Sequence, residues 1–137
     1  MNGIVSFLGF SLREINFSKN DYFKGGKVNL DLKISKNSTY IDNKRVRMNL
    51  NVKLFSDVVD NNYPFTLAFV ISGLFQYREI NIEVDNNREL IEKMMIDILY
   101  PYIRTIVTSI LTTANMPPLF LPTINVNQLI KNNKTVN

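Results

Sequence analysis

The chain contains no cysteine and no histidine. That removes disulfides, Cys/His zinc sites, thiol nucleophiles and the Ser-His-Asp triad. Any metal would have to be held by oxygen ligands alone. Glycine is scarce as well, and Gly25-Gly26-Lys27 lacks the upstream glycine and the following hydroxyl of a phosphate-binding loop. No long apolar run suits a membrane span. Phe65 to Phe75 is eleven residues of strand formers, and Thr105 to Ile130 is interrupted by Pro117, Pro118 and Pro122. The apolar start, Ile4 to Phe10, has no basic residue before Arg13 and no small-residue cleavage site, so it is not read as a signal peptide. The tripeptides beginning at Asn16, Asn37 and Asn133 match a glycosylation pattern but carry no meaning without secretion. A cytoplasmic protein without membrane insertion is expected.

What is present describes an ordinary globular chain. Of 137 residues, 45% are hydrophobic and 20% charged, with 16 Lys+Arg against 12 Asp+Glu for a net charge of +4. This length suits one domain over residues 1–137, with 131–137 a fraying tail. The first half alternates with period two. Val28, Leu30, Leu32 and Ile34 interleave with Asn29, Asp31, Lys33 and Ser35, and Val46 to Leu54 interleaves with Arg47, Asn49, Asn51 and Lys53. The polar stretch Lys36 to Lys44 between them reads as a hairpin connection. Phe65 to Tyr77 forms a third strand, and Phe7 to Phe17 an earlier one whose phase changes near Arg13-Glu14, the mark of a bulge.

From Asn87 the period becomes helical. Leu90, Ile91, Met94, Met95, Ile98, Tyr102, Ile106, Ile110 and Leu111 recur at three and four, opposite a stripe of Asp97, Pro101, Arg104, Thr105, Thr108 and Thr112. Pro101 predicts a kink or the start of a new helix. Asn115 followed by Met116-Pro117-Pro118 predicts a stop. An irregular apolar segment, Leu119 to Ile124, and a short helix over Val126 to Lys131 complete the reading. Strands followed by helices imply an α+β fold, a four-stranded antiparallel sheet with a long helix and a short C-terminal helix on one face.

Several segments also carry a family likeness. Leu99-Tyr100-Pro101-Tyr102-Ile103-Arg104, then Met116-Pro117-Pro118-Leu119-Phe120-Leu121-Pro122-Thr123-Ile124-Asn125, then Leu129, resemble the SecB protein-export chaperones. Ser72-Gly73-Leu74-Phe75 and Arg13-Glu14-Ile15-Asn16-Phe17 extend the likeness over most of the chain. The resemblance implies an ATP-independent holdase, assembled as a homotetramer by pairing of dimers, that binds unfolded polypeptide in apolar grooves. It implies client-facing positions at Leu67, Phe69 and Ile71 on a strand, Leu119, Leu121, Ile124 and Val126 in a lid loop, and Tyr22 and Phe23 in the crossover after the first strand. Phe75, Tyr100 and Tyr102 would support the groove floor. It also implies that Asp97, Arg104, Thr105, Thr108 and Thr112 lie between dimers, where composition alone would leave them solvated. Burial statistics alone would place the strand residues in the core. No cofactor is implied.

The likeness departs from the family at its docking surface for the SecA motor. Of the matching acidic positions, Glu14 is retained, whereas Ser18 and Ala68 are not, and the outward residues of the hairpin strands include Lys27, Lys33, Arg45, Arg47 and Lys53. Such a face repels a basic partner within a Debye length of about 8 Å. Chaperoning therefore carries over more directly than delivery for export, and the client is either a dedicated antitoxin or an exported preprotein. A nucleic-acid-binding protein using the basic sheet face is the alternative, disfavoured because the aromatics point the other way. Catalysis is not expected: Asp57 and Asp60 lie in a polar turn before Tyr63-Pro64, where aspartates commonly bond their own backbone, Glu79, Glu83 and Asp85 follow further on, and no nucleophile–base pair accompanies them.

Overall fold

The structure, a computed structural model, describes residues 4–56, 62–78 and 85–122. The elements are β1 (Val5–Lys19), β2 (Leu32–Tyr40), β3 (Arg45–Leu54), β4 (Phe65–Tyr77) and α1 (Asp85–Thr113). The strands form a single antiparallel sheet in the order β1-β4-β3-β2. The short helix expected over Val126 to Lys131 and the tail 131–137 lie outside the described residues.

β3 and β4 occupy the middle of the sheet, and their alternation explains why. Val46, Met48, Leu50, Val52 and Leu54 are fully buried on one face of β3, with Phe65, Leu67, Phe69, Ile71, Phe75 and Tyr77 beside them on β4. The registers define rows across this inner face, such as Tyr40–Val46–Phe75–Phe7 and Lys36–Leu50–Ile71–Leu12. The outer face carries Arg47, Asn49, Asn51 and Lys53 of β3 beside Thr66, Ala68, Val70 and Ser72 of β4.

The hairpin differs from the sequence reading. β2 starts at Leu32 instead of Val28 and continues to Tyr40, through the stretch that reads as a loop. Val28 and Leu30 fall in the crossover and pack half-buried against the core. The polar residues Lys36, Ser38 and Tyr40 stand on the inner face because an acceptor waits there. Glu92 of α1 is buried and accepts from Lys36 Nζ at 2.6 Å, from Ser38 Oγ at 2.7 Å and from the Tyr40 hydroxyl at 3.5 Å. Burial, then the nearby Glu92 charge, pushes the Tyr40 phenol up to about 12, while Arg88 lies over its ring at 4.8 Å. The turn itself is closed by Asp42, whose carboxylate accepts the backbone N–H groups of Lys44 and Arg45 at 2.8 and 2.7 Å. Those bonds hold its pKa below the usual carboxylate value.

β1 carries the expected register shift between Leu12 and Glu14, and a second between Phe7 and Gly9. Gly9 has φ +135°, a conformation side chains rarely adopt. β1 and β2 lie at opposite edges, so residues 20–31 must pass from one side of the sheet to the other. Asn20 anchors the start of that crossover: its N–H donates to the Pro64 carbonyl at 3.0 Å and its side-chain amide to the Tyr63 carbonyl at 2.8 Å.

α1 runs through Pro101 as one helix. The missing proline N–H would have bonded the Asp97 carbonyl, and both residues lie on the exposed side of the helix, where an unbonded carbonyl costs little. The most buried side chains of the helix are Ile91, Met95, Ile96, Leu99, Ile103, Val107 and Leu111. The predicted apolar stripe is thus rotated, with Leu90 exposed and Ile98, Tyr102, Ile106 and Ile110 half-buried on its flank. By length and composition Asn86–Thr113 is apolar enough to cross a bilayer, but Ile91, Leu99, Ile103 and Val107 belong to the core shared with the sheet. The inner face shows where the helix sits. A Cβ on Gly73 would lie 2.8 Å from Leu99 Cδ2 and 2.8 Å from Phe75 Cε1, so the bare backbone of β4 receives the Leu99 side chain. One strand further, Tyr102 meets Phe10 at 4.5 Å and Phe7 at 5.5 Å between ring centroids.

Gly73→Val should therefore lower the unfolding free energy by about 1–3 kcal/mol through overpacking. A urea midpoint equal to that of the unsubstituted chain would show that Leu99 does not depend on this space.

Candidate functional site

Three apolar surfaces remain open among the described residues. The first follows α1. Asn115 adopts φ +57°, and the Met116 N–H reaches the Leu111 carbonyl at 2.9 Å while the Asn115 N–H reaches Thr112 at 3.1 Å. This pattern closes a helix on a left-handed residue, and Pro117-Pro118 prevent continuation. The chain then folds back along the helix it has just left. The Tyr100 hydroxyl donates to the Pro122 carbonyl at 2.6 Å, and burial raises its pKa above the usual phenol value. Leu121 is buried, Leu119 half-buried, and Phe120 between them is 85% exposed. Arg104, Thr108, Leu119, Phe120 and Leu121 enclose a cleft of about 200 Å³. Arg104 lies over the Tyr100 ring at 5.1 Å, giving the cleft a cationic wall against an aromatic support.

The second surface is the crossover. Tyr22 is 80% exposed and Phe23 half-buried. Their turn is built, since the Tyr22 N–H bonds the Asn20 side-chain oxygen at 3.1 Å and the Phe23 N–H bonds the Asn20 carbonyl at 3.2 Å. The third surface is β1. Phe10, Leu12 and Ile15 pair with Gly73, Ile71 and Phe69 of β4 on the inner face, yet Leu12 and Ile15 are each 45% exposed. Leu8, displaced by the first bulge, is exposed too. The β1 edge opposite β4 is unpaired within the described residues.

The residues singled out from sequence separate into groups. Tyr22, Phe23, Leu119 and Leu121 belong to the open segments, and Tyr102 to the flank of α1. Leu67, Phe69, Ile71 and Phe75 are fully buried in the core. Ile124 and Val126 lie outside the described residues, as do Asp57, Asp60, Glu79 and Glu83 and the side chain of Asp85. Asp97, Thr105, Thr108 and Thr112 are exposed along α1, and Arg104 is half-buried. Of the basic residues placed on the outer sheet face, Lys27 lies instead in the crossover, and Arg45 is bonded to Asp42 at 3.1 Å. Two features escaped the sequence reading. Phe120 alternates with Leu119 and Leu121, a pattern that turns the middle residue away from its neighbours, and this is the signal in the sequence that marks it. The exposed β1 row was hidden by the two bulges, which make its alternation irregular.

The profile of the family described as preprotein translocase subunit SecB matches residues 10–137. An uncharacterized protein of Methanocaldococcus jannaschii is 27% identical over 131 residues, 93% of this chain and 83% of that one. Among solved structures, the Mycobacterium tuberculosis Rv1957 SecB-like chaperone in complex with a ChAD peptide from the Rv1956 HigA1 antitoxin is similar in fold. It superposes with TM-score 0.70 at 17% identity, covering 88% of this chain and 91% of that one.

Tyr100→Phe removes the bond that ties the returning segment to α1. It should cost about 0.5–1.5 kcal/mol and accelerate amide exchange at residues 119–121, with little change in the sheet. Unchanged exchange there would show that Leu121 packing alone holds the segment.

Proposed function

The chain belongs to the SecB family, and on that premise we propose that it is an ATP-independent holdase that binds non-native polypeptide and has no catalytic step of its own. The observation that carries this reading is Phe120, an aromatic ring 85% exposed between two packed leucines and beside an open cleft. With half-buried Leu119 and the open cleft beside it, the ring forms part of a contiguous apolar patch of the kind that marks a binding surface. Tyr22, Phe23, Leu119, Phe120 and Tyr102 are read as client contacts, and Leu67, Phe69, Ile71, Phe75 and the buried Leu121 as the packed floor that keeps them in place. Ile124 and Val126 would extend the same lid. Each Leu- or Phe-sized client side chain taken up contributes about 1.5–3 kcal/mol. Several weak subsites on one assembly then act through effective concentration.

The proposed client is an antitoxin, held in the cytoplasm. Two observations favour this over exported preproteins. The structurally similar M. tuberculosis chaperone is bound to an antitoxin peptide. The outer-face positions that would carry acidic docking residues hold Glu14, Ser18 and Ala68 here, with Lys53 directly opposite Ala68 on β3.

The proposed assembly is a homotetramer. The unpaired β1 edge with its apolar row is read as the place where a second copy adds, and the exposed stripe Asp97, Arg104, Thr105, Thr108 and Thr112 as the contact between dimers. The fold is read as one domain spanning the chain.

At stoichiometric ratio and without nucleotide, the protein should suppress aggregation of an unfolded model protein followed by light scattering, and Phe120→Asp should weaken suppression while leaving the circular dichroism spectrum intact. No suppression by the unsubstituted chain would overturn the general holdase reading. Replacing both Thr105 and Thr108 with Lys should convert tetramers to dimers in multi-angle scattering. Persistence of the tetramer would remove the helix stripe from the interface.

A further inference from the structure

The outer face of the sheet lies opposite α1 and the cleft, and client binding leaves it unexplained. Its character follows from register. Lys33 of β2 stands directly across from Lys53 of β3, and Thr39 across from Arg47. Arg13, Arg47 and Lys53 line this face with Glu14 as the one carboxylate among them, and such a face in a chain of net charge +4 is suited to a negative occupant.

The relief of the face narrows the occupant further. Small side chains on the central strand β4, with Thr66, Ala68, Val70 and Ser72 on this side, leave a trough between Glu14 and Asn16 of β1 and the longer residues of β3. Arg13, Thr39, Arg47 and Asn49 line one depression of about 340 Å³. Asn16, Asn51, Lys53 and Ala68 line another of about 190 Å³. Glu14 and Val70 border both. Six strand positions separate Arg47 from Lys53, or about 20 Å along β3 at about 3.4 Å per residue. We propose that this trough docks an extended acidic segment of a polypeptide, with carboxylates near Arg13 and Arg47 at one end and near Lys53 at the other.

Two features favour a polypeptide over nucleic acid. The outer-face positions of the described strands carry no aromatic ring on which a base could stack. Glu14 sits between the cationic ends, where a continuous phosphate backbone would meet repulsion. A peptide needs no charge at that point and can offer a hydrogen-bond donor instead. Asn16, Asn49 and Asn51 add neutral side-chain amides able to bond a carboxylate or a peptide backbone.

The test is fluorescence anisotropy on the whole chain with a labelled peptide about sixteen residues long, with glutamates at its two ends and a serine-rich uncharged middle, at about 50 mM salt, where exposed charges are weakly screened. The same measurement uses a lysine–serine peptide and single- and double-stranded oligonucleotides of similar length. Binding of the glutamate peptide should fall about tenfold or more in the Arg47→Glu/Lys53→Glu variant. It should change less than about twofold in Lys24→Glu/Lys27→Glu, which removes equal charge from the crossover. No binding of the glutamate peptide, equal loss in both variants, or tighter capture of an oligonucleotide would each overturn the proposal. Aggregation suppression is read in parallel. The Arg47→Glu/Lys53→Glu variant should retain it, so failure of the trough and failure of the holdase reading give different results.

Discussion

Gly73 has no side chain, and the two methyl groups of Leu99 approach the place where a Cβ would stand, to 2.8 and 3.0 Å. That contact fixes the height of α1 above the sheet, because packed interiors leave no slack of this size. The rest of the inner layer inherits its position. About two turns earlier, Glu92 is brought over β2 to meet Lys36 and Ser38. About one turn later, Tyr102 is brought over Phe7 and Phe10 of β1. Tyr100, next to Leu99, is turned to the flank where its hydroxyl catches the returning chain at Pro122. A helix anchored at its middle thus places a polar clamp at one edge strand and an aromatic contact at the other.

Much of the fold was legible because its signals are local. β3 and β4 alternate without interruption, β4 spans Phe65–Tyr77 as read, and the Asn115-Met116-Pro117-Pro118 stop is a backbone preference written in consecutive residues. The errors share a different cause. β2 reaches Tyr40 because Lys36 and Ser38 find a carboxylate more than fifty residues away, which no window of neighbouring residues can show. The helix stripe was rotated because α1 is apolar around much of its circumference. Periodicity alone then cannot select Leu99 and Ile103 over Ile98 and Ile110.

The candidate site was legible only through family likeness, and unevenly so. Likeness places Tyr22, Leu119 and Leu121 in segments that the structure leaves open. It also names Leu67, Phe69 and Ile71, which this structure buries, so burial and resemblance assign different duties to the same strand. Phe120 and the β1 row needed coordinates, because exposure of an apolar residue depends on where neighbouring elements end. α1 crosses the sheet near the Gly73 row, and the β1 residues beyond it, Leu12 and Ile15, remain partly uncovered.

The two bulges of β1 bear on how this strand behaves at an open edge. A straight fifteen-residue edge with an apolar row is a template on which almost any strand could grow, in many alignments. Displacement of Leu8 and Arg13 divides its regular pairing with β4 into the spans Val5–Phe7, Gly9–Leu12 and Glu14–Lys19. Each break disturbs the spacing of the outward N–H and C=O groups. An incoming strand must either carry compensating irregularities at the same intervals or stop after a few residues. For the second copy proposed to add at this edge, the two breaks act as a key that favours one alignment, and they deny fibrous growth the uninterrupted ladder it requires.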